Sequence, residues 1–441
     1  MARGKKKEIL TPEERLQAAL VPESEQPYKV PGNWCWTYLT KGAAECLDSF
    51  RKPINASERA NREGDIPYYG ATGQVGWIDD FLTNEQLVLV GEDGAPFLDL
   101  IKDKAYIIEG KAWVNNHAHI LRSRFGTVGN LFLMHYLNAF NYNDFVNGTT
   151  RLKLTQGSMD TMPVPIPPLT EQQRIVNRIE SLFAKLDEAI QKAQDALDSF
   201  ETRKAAILHK AFVGELTAQW RQELGMGMES WERLKLGEIG TLERGRSQHR
   251  PRNDPRLFGG PYPFIQTGDV ASANVYITQH HQTLSEFGME QSRMFSAGTL
   301  CITIAANIGD VAILSYDCCF PDSVVGFIPN NRSISKFVYY MMSILQKELE
   351  DNAPATAQKN INLKILNAVE MNIPPVIEQA EIVRLLDDLL TKEQKAKEAA
   401  QGVLEQIDRI KKAILARAFR GELGTNDPIE ENAVELLKVI V

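Results

Sequence analysis

Along one stretch of the chain, Ile175, Ile179, Leu182, Leu186, Ile190, Ala193, Leu197 and Phe200 follow one another at intervals of three or four residues. That spacing lays them on one stripe of a long amphipathic helix. Thr170 is placed to cap it and Gly214 to end it, so the pattern predicts one helix over 171–213, about 65 Å long at ~1.5 Å per residue. Ile382, Leu386, Leu389, Ala400, Leu404, Ile407 and Ile414 predict a second helix, with a polar middle from Thr391 to Glu398. A lone helix of this length cannot bury its stripe. The two are therefore expected to pair antiparallel as a coiled coil, with Ile175, Ile179, Leu182, Leu186 and Leu197 meeting Ile382, Leu386, Leu389, Leu404 and Ile407.

Elsewhere the apolar runs are short and bounded by Gly, Pro, Asn and Asp, as strands are. Gln86–Val90 precedes the turn Gly91–Gly94, and Thr299–Ile304 precedes a loop ending at Gly309. Ile66–Tyr69 can be set against Tyr262–Ile265, and Trp113–Asn116 against Phe320–Ser323. Leu131–Leu137 and Lys336–Leu345 read as helices packed on these strands. A short helix, Pro12–Leu20, opens with Thr11 as cap and Glu14 in capping-box position.

The strand and helix patterns recur because the chain repeats itself. Pro167-Pro168, Glu171-Gln172 and Ile175-Val176 return as Pro374-Pro375, Glu378-Gln379 and Ile382-Val383, an offset of 207 residues. Ala211-Phe212, Gly214, Glu215 and Leu216 return at the same offset as Ala418-Phe419, Gly421, Glu422 and Leu423. Trp34 and Trp231, which begin the globular segments, are offset by 197, so the second globular segment is ten residues longer. A unit this size is too long for a solenoid module and reads as a duplicated domain plus helix. The expected fold class is α+β: two mixed globular domains separated by two long antiparallel helices in a pseudo-two-fold repeat. The expected segments are 1–30 with the short helix, a first globular domain over 31–165, a helical spacer over 166–226, a second globular domain over 227–372, a distal helical spacer over 373–425 and a tail over 426–441.

Composition alters this picture little. A chain of 441 residues, 43% hydrophobic and 24% charged, is ordinary for a globular protein of two or three domains. No apolar run approaches the roughly 18 residues of a membrane span, and the opening Met-Ala-Arg-Gly-Lys-Lys-Lys leads into a polar stretch rather than a signal core. A cytoplasmic location without membrane contact is expected. Cys35, Cys46, Cys301, Cys318 and Cys319 form no metal-like spacing and read as free thiols. A net charge of −8 argues against bulk attraction to nucleic acid. Five arginines nevertheless lie within thirteen residues, at 244, 246, 250, 252 and 256.

Catalytic signatures are absent. The chain has no phosphate-binding GxxxxGK[ST] loop, no Asn-Pro-Pro-aromatic motif and no glycine-rich turn suited to an adenosyl cofactor. Asp99, Asp103, Glu109 and Lys111 only faintly resemble a nuclease carboxylate–lysine set, and His117-x-His119 lacks further metal ligands nearby. No catalytic or metal site is assigned. What remains suits base recognition. Arg holds guanine O6 and N7, and Gln or Asn holds adenine N6 and N7. In the second domain Arg244, Arg246, Gln248, His249, Arg250, Arg252, Gln266 and Thr267 are candidate DNA contacts. In the first they are Tyr68, Tyr69, Thr72, Gln74, Asn115, Asn116, His117 and His119. Two other functions compete with this one: a self-sufficient DNA nuclease or methyltransferase, and a coiled-coil scaffold with no DNA role.

Two variable domains, each opened by a tryptophan (Asn33-Trp34, Ser230-Trp231) and closed by Ile-Pro-Pro, Glu-Gln and a helix ending Ala-Phe-x-Gly-Glu-Leu, resemble the specificity subunit of type I restriction-modification systems. The resemblance covers nearly the whole chain. It implies a non-catalytic DNA-recognition subunit of a restriction endonuclease and adenine methyltransferase complex, each domain reading half of a split target on double-stranded DNA. It also implies two modification subunits gripping the helices and restriction subunits joining them. S-adenosylmethionine, ATP and magnesium would serve those partners, and no cofactor would bind this chain.

Overall fold

The computed structural model describes residues 10–99, 101–305, 308–351 and 361–441. The basic opening Met1–Lys7, and Asn307 in the loop before Gly309, lie outside the described residues. The chain divides into two compact units, residues 1–194 with 401–441 and residues 195–400.

In the first unit the strand Leu87–Gly91 is buried throughout. Because successive side chains of a strand point to opposite faces, Val88 and Val90 join a core with Phe132, Leu133 and Leu137 of the helix Gly126–Ala139. Leu87 and Leu89 pack instead with Ala112 and Val114 of a second sheet. The layers are thus helix, central sheet, second sheet. The central sheet runs Ala44–Cys46, Ala118–Ser123, Leu87–Gly91, Ala105–Ile108, and the second runs Gly73–Ile78, Ile66–Gly70, Lys111–Val114, Thr83–Asn84.

The second unit repeats these layers. Leu300 and Ile302 face Phe337 and Val338 of the helix Ser335–Asp351, while Cys301 turns to Phe295 and Phe320. Its central sheet contains Leu300–Thr303 between Val324–Pro329 and Val311–Leu314, and its second sheet contains Phe258–Phe264 between Gln282–Leu284 and Cys318–Cys319. Each domain is closed by pairing its first and last strands, Cys35 opposite Ile166 and Glu232 opposite Ile373. This mixed architecture is the expected α+β class.

The first long helix runs Leu169–Asp198 and resumes as Phe200–Phe212. It is interrupted at Ser199, whose hydroxyl donates to the Asp195 carbonyl at 2.7 Å, a back-bond that bends helices. The single predicted helix is corrected accordingly. The second helix is continuous over Val376–Ala418. Thr170 is not the cap. The Pro168 carbonyl opens the ladder by accepting from the Gln172 amide at 2.9 Å, and the Thr170 hydroxyl donates to Glu430 at 2.5 Å. Gly214 and Gly421 end the helices at φ +80° and +73°, conformations that glycine adopts without strain.

Within each unit the helical segments run antiparallel. In the first, Arg174 meets Thr425 and Glu430 whereas Asp187 meets Lys411 at 2.7 Å. In the second, Lys397 lies over Phe200 at 4.3 Å and Glu393 pairs with Arg203 at 2.8 Å. Of the predicted stripe, Ile175, Ile179, Ile382, Leu386 and Ile407 are buried, and Leu182, Leu186, Leu197, Leu389 and Leu404 are half-buried. Ile175 and Ile179 share a core with Trp34 and Phe419, and Ile382 and Leu386 share one with Phe337 and Ala211. These four are therefore not a purely interhelical seam. The opening turns of each helix are part of a globular core.

The retained Glu-Gln pair explains this docking. Glu171 is fully buried and accepts from the Trp34 indole at 2.7 Å and the Asn426 amide at 2.8 Å. Glu378, also fully buried, accepts from the Trp231 indole at 3.0 Å, Thr217 at 2.6 Å and Arg221 at 2.5 Å. Gln172 and Gln379 donate back to the Pro167 and Pro374 carbonyls at 3.1 and 2.9 Å. Glu171 and Glu378, bonded in this way, lock the helix start to the tryptophan that opens the domain, although the buried Gln172 Oε1 has no partner among the described residues.

Candidate nucleic-acid interface

In each unit the second sheet carries a concavity. In the first it encloses about 500 Å³ beside Asn55, Arg59, Tyr68, Asn115, Asn116 and His117. In the second it encloses about 520 Å³, and Arg246, His249, Arg252, Gln266 and Thr267 all line it. The matched segments occupy matched places: Tyr68, Asn115 and Asn116 line the first, and Phe264, Pro321 and Ser323 line the second. The strands beneath correspond as well and move the sequence match by one residue: Tyr68 pairs in parallel with Trp113 and Phe264 with Cys319, so Trp113 answers to Cys319 rather than Phe320.

Several first-domain candidates need correcting. Tyr68 is 1% exposed, and its hydroxyl meets Ile54 backbone atoms at 3.4 Å while Arg59 covers its ring at 5.0 Å. Its phenol belongs to the domain's core. Asn115 is 8% exposed and its side-chain oxygen holds the His117 amide at 2.8 Å, so that oxygen shapes the turn and is not free to accept from a base. His119 is 1% exposed, bonded to Asp48 at 2.6 Å and to the Leu154 carbonyl at 2.8 Å, and cannot reach a base. Tyr69 is half-buried against Tyr106, whereas Thr72, Gln74 and Asn116 are exposed. His117 is partly exposed and bonded to Asp93 at 2.8 Å.

Asp48, Glu92 and His119 lie within 4.8 Å of one another, a spacing that would admit a cation. The protein's own cations already fill that role. Arg51 bridges Asp48, at 2.9 Å, and Glu92, and Lys153 pairs with Glu92 at 2.8 Å. Burial raises both carboxyls, but for Asp48 the hydrogen bond and charge of His119, and for Glu92 the bonds from Lys153 and Arg51, outweigh it and hold them below their usual range. The nuclease-like residues are dispersed. Asp99 accepts from the Ile101 amide at 2.9 Å, Glu109 accepts from Gln86 at 2.9 Å and Lys111 lies over Phe81 at 4.9 Å.

In the second domain the arginine-rich loop is fastened at its root. The Gly245 and Arg246 amides donate to Val324 and Phe320 at 2.9 and 3.1 Å. A Cβ at Gly245 would lie 2.3 Å from the Pro321 carbonyl, so only glycine fits. Beyond the root, Arg252 Nη2 donates to both Asp322 carboxylate oxygens at 2.9 Å, Arg244 reaches the Asp322 carbonyl, and Arg256 pairs with Asp254 at 2.6 Å. The Arg256 bonds, with a contribution from His249, push the Asp254 carboxyl far down. Arg246 instead meets the Gln248 side-chain oxygen at 2.6 Å, and Arg250 meets the Ser247 and His249 carbonyls at 2.8 Å. Among the described residues these two have no carboxylate partner. The sequence reading missed Gln282, Gln291 and Asp322, which long-range strand pairing brings beside the loop. The match of Phe320–Ser323 to Trp113–Asn116 was the one available signal for Asp322.

All five cysteines are free. Among the described residues no helix is long and apolar enough to cross a membrane.

Residues 45–197 and 228–401 match the family model for the type I restriction modification DNA specificity domain. Over 358 residues the chain is 28% identical to a protein of Haemophilus influenzae named as a type I restriction enzyme specificity subunit, covering 79% of this chain and 86% of that one. The EcoDI specificity subunit of Escherichia coli is 22% identical over 90% of each chain. The HsdS subunit of Thermoanaerobacter tengcongensis shares the fold, with a TM-score of 0.65 at 20% identity over 91% of this chain and all of that one. The chain belongs to the type I restriction modification DNA specificity domain family. It is a DNA-recognition subunit of a type I restriction-modification complex and not itself catalytic; its partners are DNA and the other subunits of that complex.

Proposed function

We propose that each globular domain reads one half of a bipartite double-stranded DNA target and that the long helices hold the two half-sites at a fixed spacing. Two modification subunits grip the helical region as a coiled coil, and restriction subunits join them. S-adenosylmethionine, ATP and magnesium act in those partners, in the cytoplasm. The observation that carries this reading is the pair of concavities built from matched segments of the two second sheets. Thr72, Gln74, Asn116 and His117, with Tyr69 at the margin, contact DNA in the first domain. Arg244, Arg246, Gln248, His249, Arg250, Arg252, Gln266 and Thr267 do so in the second. Arg246 and Arg250 are the readiest cations, because no carboxylate must be displaced from them. Partner subunits supply the positive surface that a net charge of −8 withholds.

Exchanging residues 31–165 for the corresponding segment of another specificity subunit tests the reading. Methylome sequencing should show one half-site replaced and the other, with the spacer, retained. Alteration of both half-sites, or of neither, would reject it.

A further inference from the structure

We propose that Gln266 and Gln282 act as a single adenine-reading pair in the second domain, an inference that rests on the DNA-reading assignment above. Gln282 lies on the strand Gln282–Leu284, directly opposite Phe264, two residues before Gln266. The Gln266 side-chain nitrogen donates to the Gln282 side-chain oxygen at 2.8 Å. Both side chains line the concavity that also holds Arg246 and Arg252. The bond leaves a carbonyl oxygen at the Gln266 end and an NH₂ group at the Gln282 end. Turning both amides over exchanges the ends but still leaves one acceptor and one donor.

That combination selects one base. Adenine offers a donor, N6, beside an acceptor, N7, in the major groove. Guanine offers two acceptors, one of which would oppose the amide oxygen. Thymine offers an acceptor and a methyl group, and cytosine a donor whose neighbouring acceptor is O6 of the guanine paired with it, so on a single base the combination is met by adenine. Neither glutamine can rotate alone without setting like groups against each other, so the pair is oriented before DNA arrives.

The test uses the specificity subunit assembled with its modification subunits. The substrates are duplexes in which adenines of the second domain's half-site are replaced one at a time by 7-deazaadenine, which lacks the N7 acceptor. One replacement should slow methylation about ten-fold or more, and in Gln282→Leu that replacement should have no further effect. Gln266→Glu, which offers only acceptors, should shift preference at that position toward cytosine and leave the other positions unchanged. A half-site insensitive to 7-deazaadenine at every position overturns the proposal without any variant, so misfolding cannot mask the result. If both glutamine variants keep the adenine preference while Arg246→Ala alters the same half-site, the pair is not a reader but the DNA-reading assignment stands. If Arg246→Ala also changes no base, that assignment fails for this concavity too.

Discussion

Glu171 and Glu378 occupy the same position of the repeat and are both fully buried, yet substituting each by glutamine should have unequal cost. Glu378 faces a cation: Arg221, 6% exposed, reaches it at 2.5 Å, and Thr217 donates to the same oxygen. A glutamine that kept its oxygen toward the Trp231 indole would turn its NH₂ group on both donors, leaving a buried guanidinium without its carboxylate. Breaking a buried pair in this way costs about 3–5 kcal/mol. Among the described residues Glu171 faces no cation at hydrogen-bond distance: its Oε2 accepts from Trp34 and Asn426, and its Oε1 meets the Thr425 hydroxyl at 3.4 Å. Glutamine there keeps the oxygen where two donors need it and presents NH₂ to a hydroxyl able to accept, so the cost should stay near 1 kcal/mol. Native-state hydrogen exchange of amides in residues 376–386 and 169–179 reads the two effects separately. Glu378→Gln should lower protection in the second unit, and adding Arg221→Met to it should recover much of that loss, because the double variant removes the uncompensated guanidinium while the glutamine oxygen still accepts from the Trp231 indole. Equal losses for Glu171→Gln and Glu378→Gln, or no recovery in the double variant, would refute the argument.

His135 gives a pH dependence. Burial pushes its imidazole down to about 4, its Nε2 lacks a partner among the described residues, and the residue is 7% exposed. Below pH 6.5 the unfolded chain takes up a proton that the folded chain refuses, so stability should fall by roughly 3 kcal/mol as the pH drops from 6.5 to 4. His135→Leu should flatten that part of a thermal-melt profile. Arg246→Ala and Arg250→Ala, measured in the assembled complex, should each lower the slope of log affinity against log salt by about 1 if they meet phosphates; a base-reading arginine should instead relax one position of the target. Inserting one helical turn after residue 190 should change the spacing between half-sites in methylome data and leave the half-sites themselves unaltered.

What was legible in the sequence was periodic or copied. The long helices follow from the spacing of Ile175 to Phe200, and the duplicated frame follows from the offset shared by Pro167 and Pro374. Ser199 escaped notice because a serine between stripe positions leaves the period intact while its hydroxyl competes for the Asp195 carbonyl. Tyr68, Asn115 and His119 were misplaced for a different reason. A polar residue on a strand does not announce its face when its partner is distant, and the carboxylate that holds His119 belongs to Asp48, 71 residues earlier. Gln282 was invisible for the same reason, and Asp322 was hinted at only by the match of its segment to the first domain, since the pairing of strands is what carries both to the arginine loop.

The repeat also separates frame from readout more sharply than either copy alone. Ile166 and Ile373, Glu171 and Glu378, Gln172 and Gln379, and Ile175 and Ile382 are identical pairs, and every one of them is buried. Packing and buried hydrogen bonds suffice to explain why they match. At the concavities the places match but the side chains do not: by strand pairing Tyr68 stands where the second domain has Phe264, Asn115 where it has Pro321, and Asn116 where it has Asp322. A loop rich in arginine lies over the second concavity, and His117 with Asn116 borders the first. Two sites that present different donors and acceptors on the same frame cannot favour the same bases, so the half-sites of this chain should differ in sequence rather than form a palindrome. Methylome sequencing that returned a symmetric target would mean that the concavities are not where the bases are read.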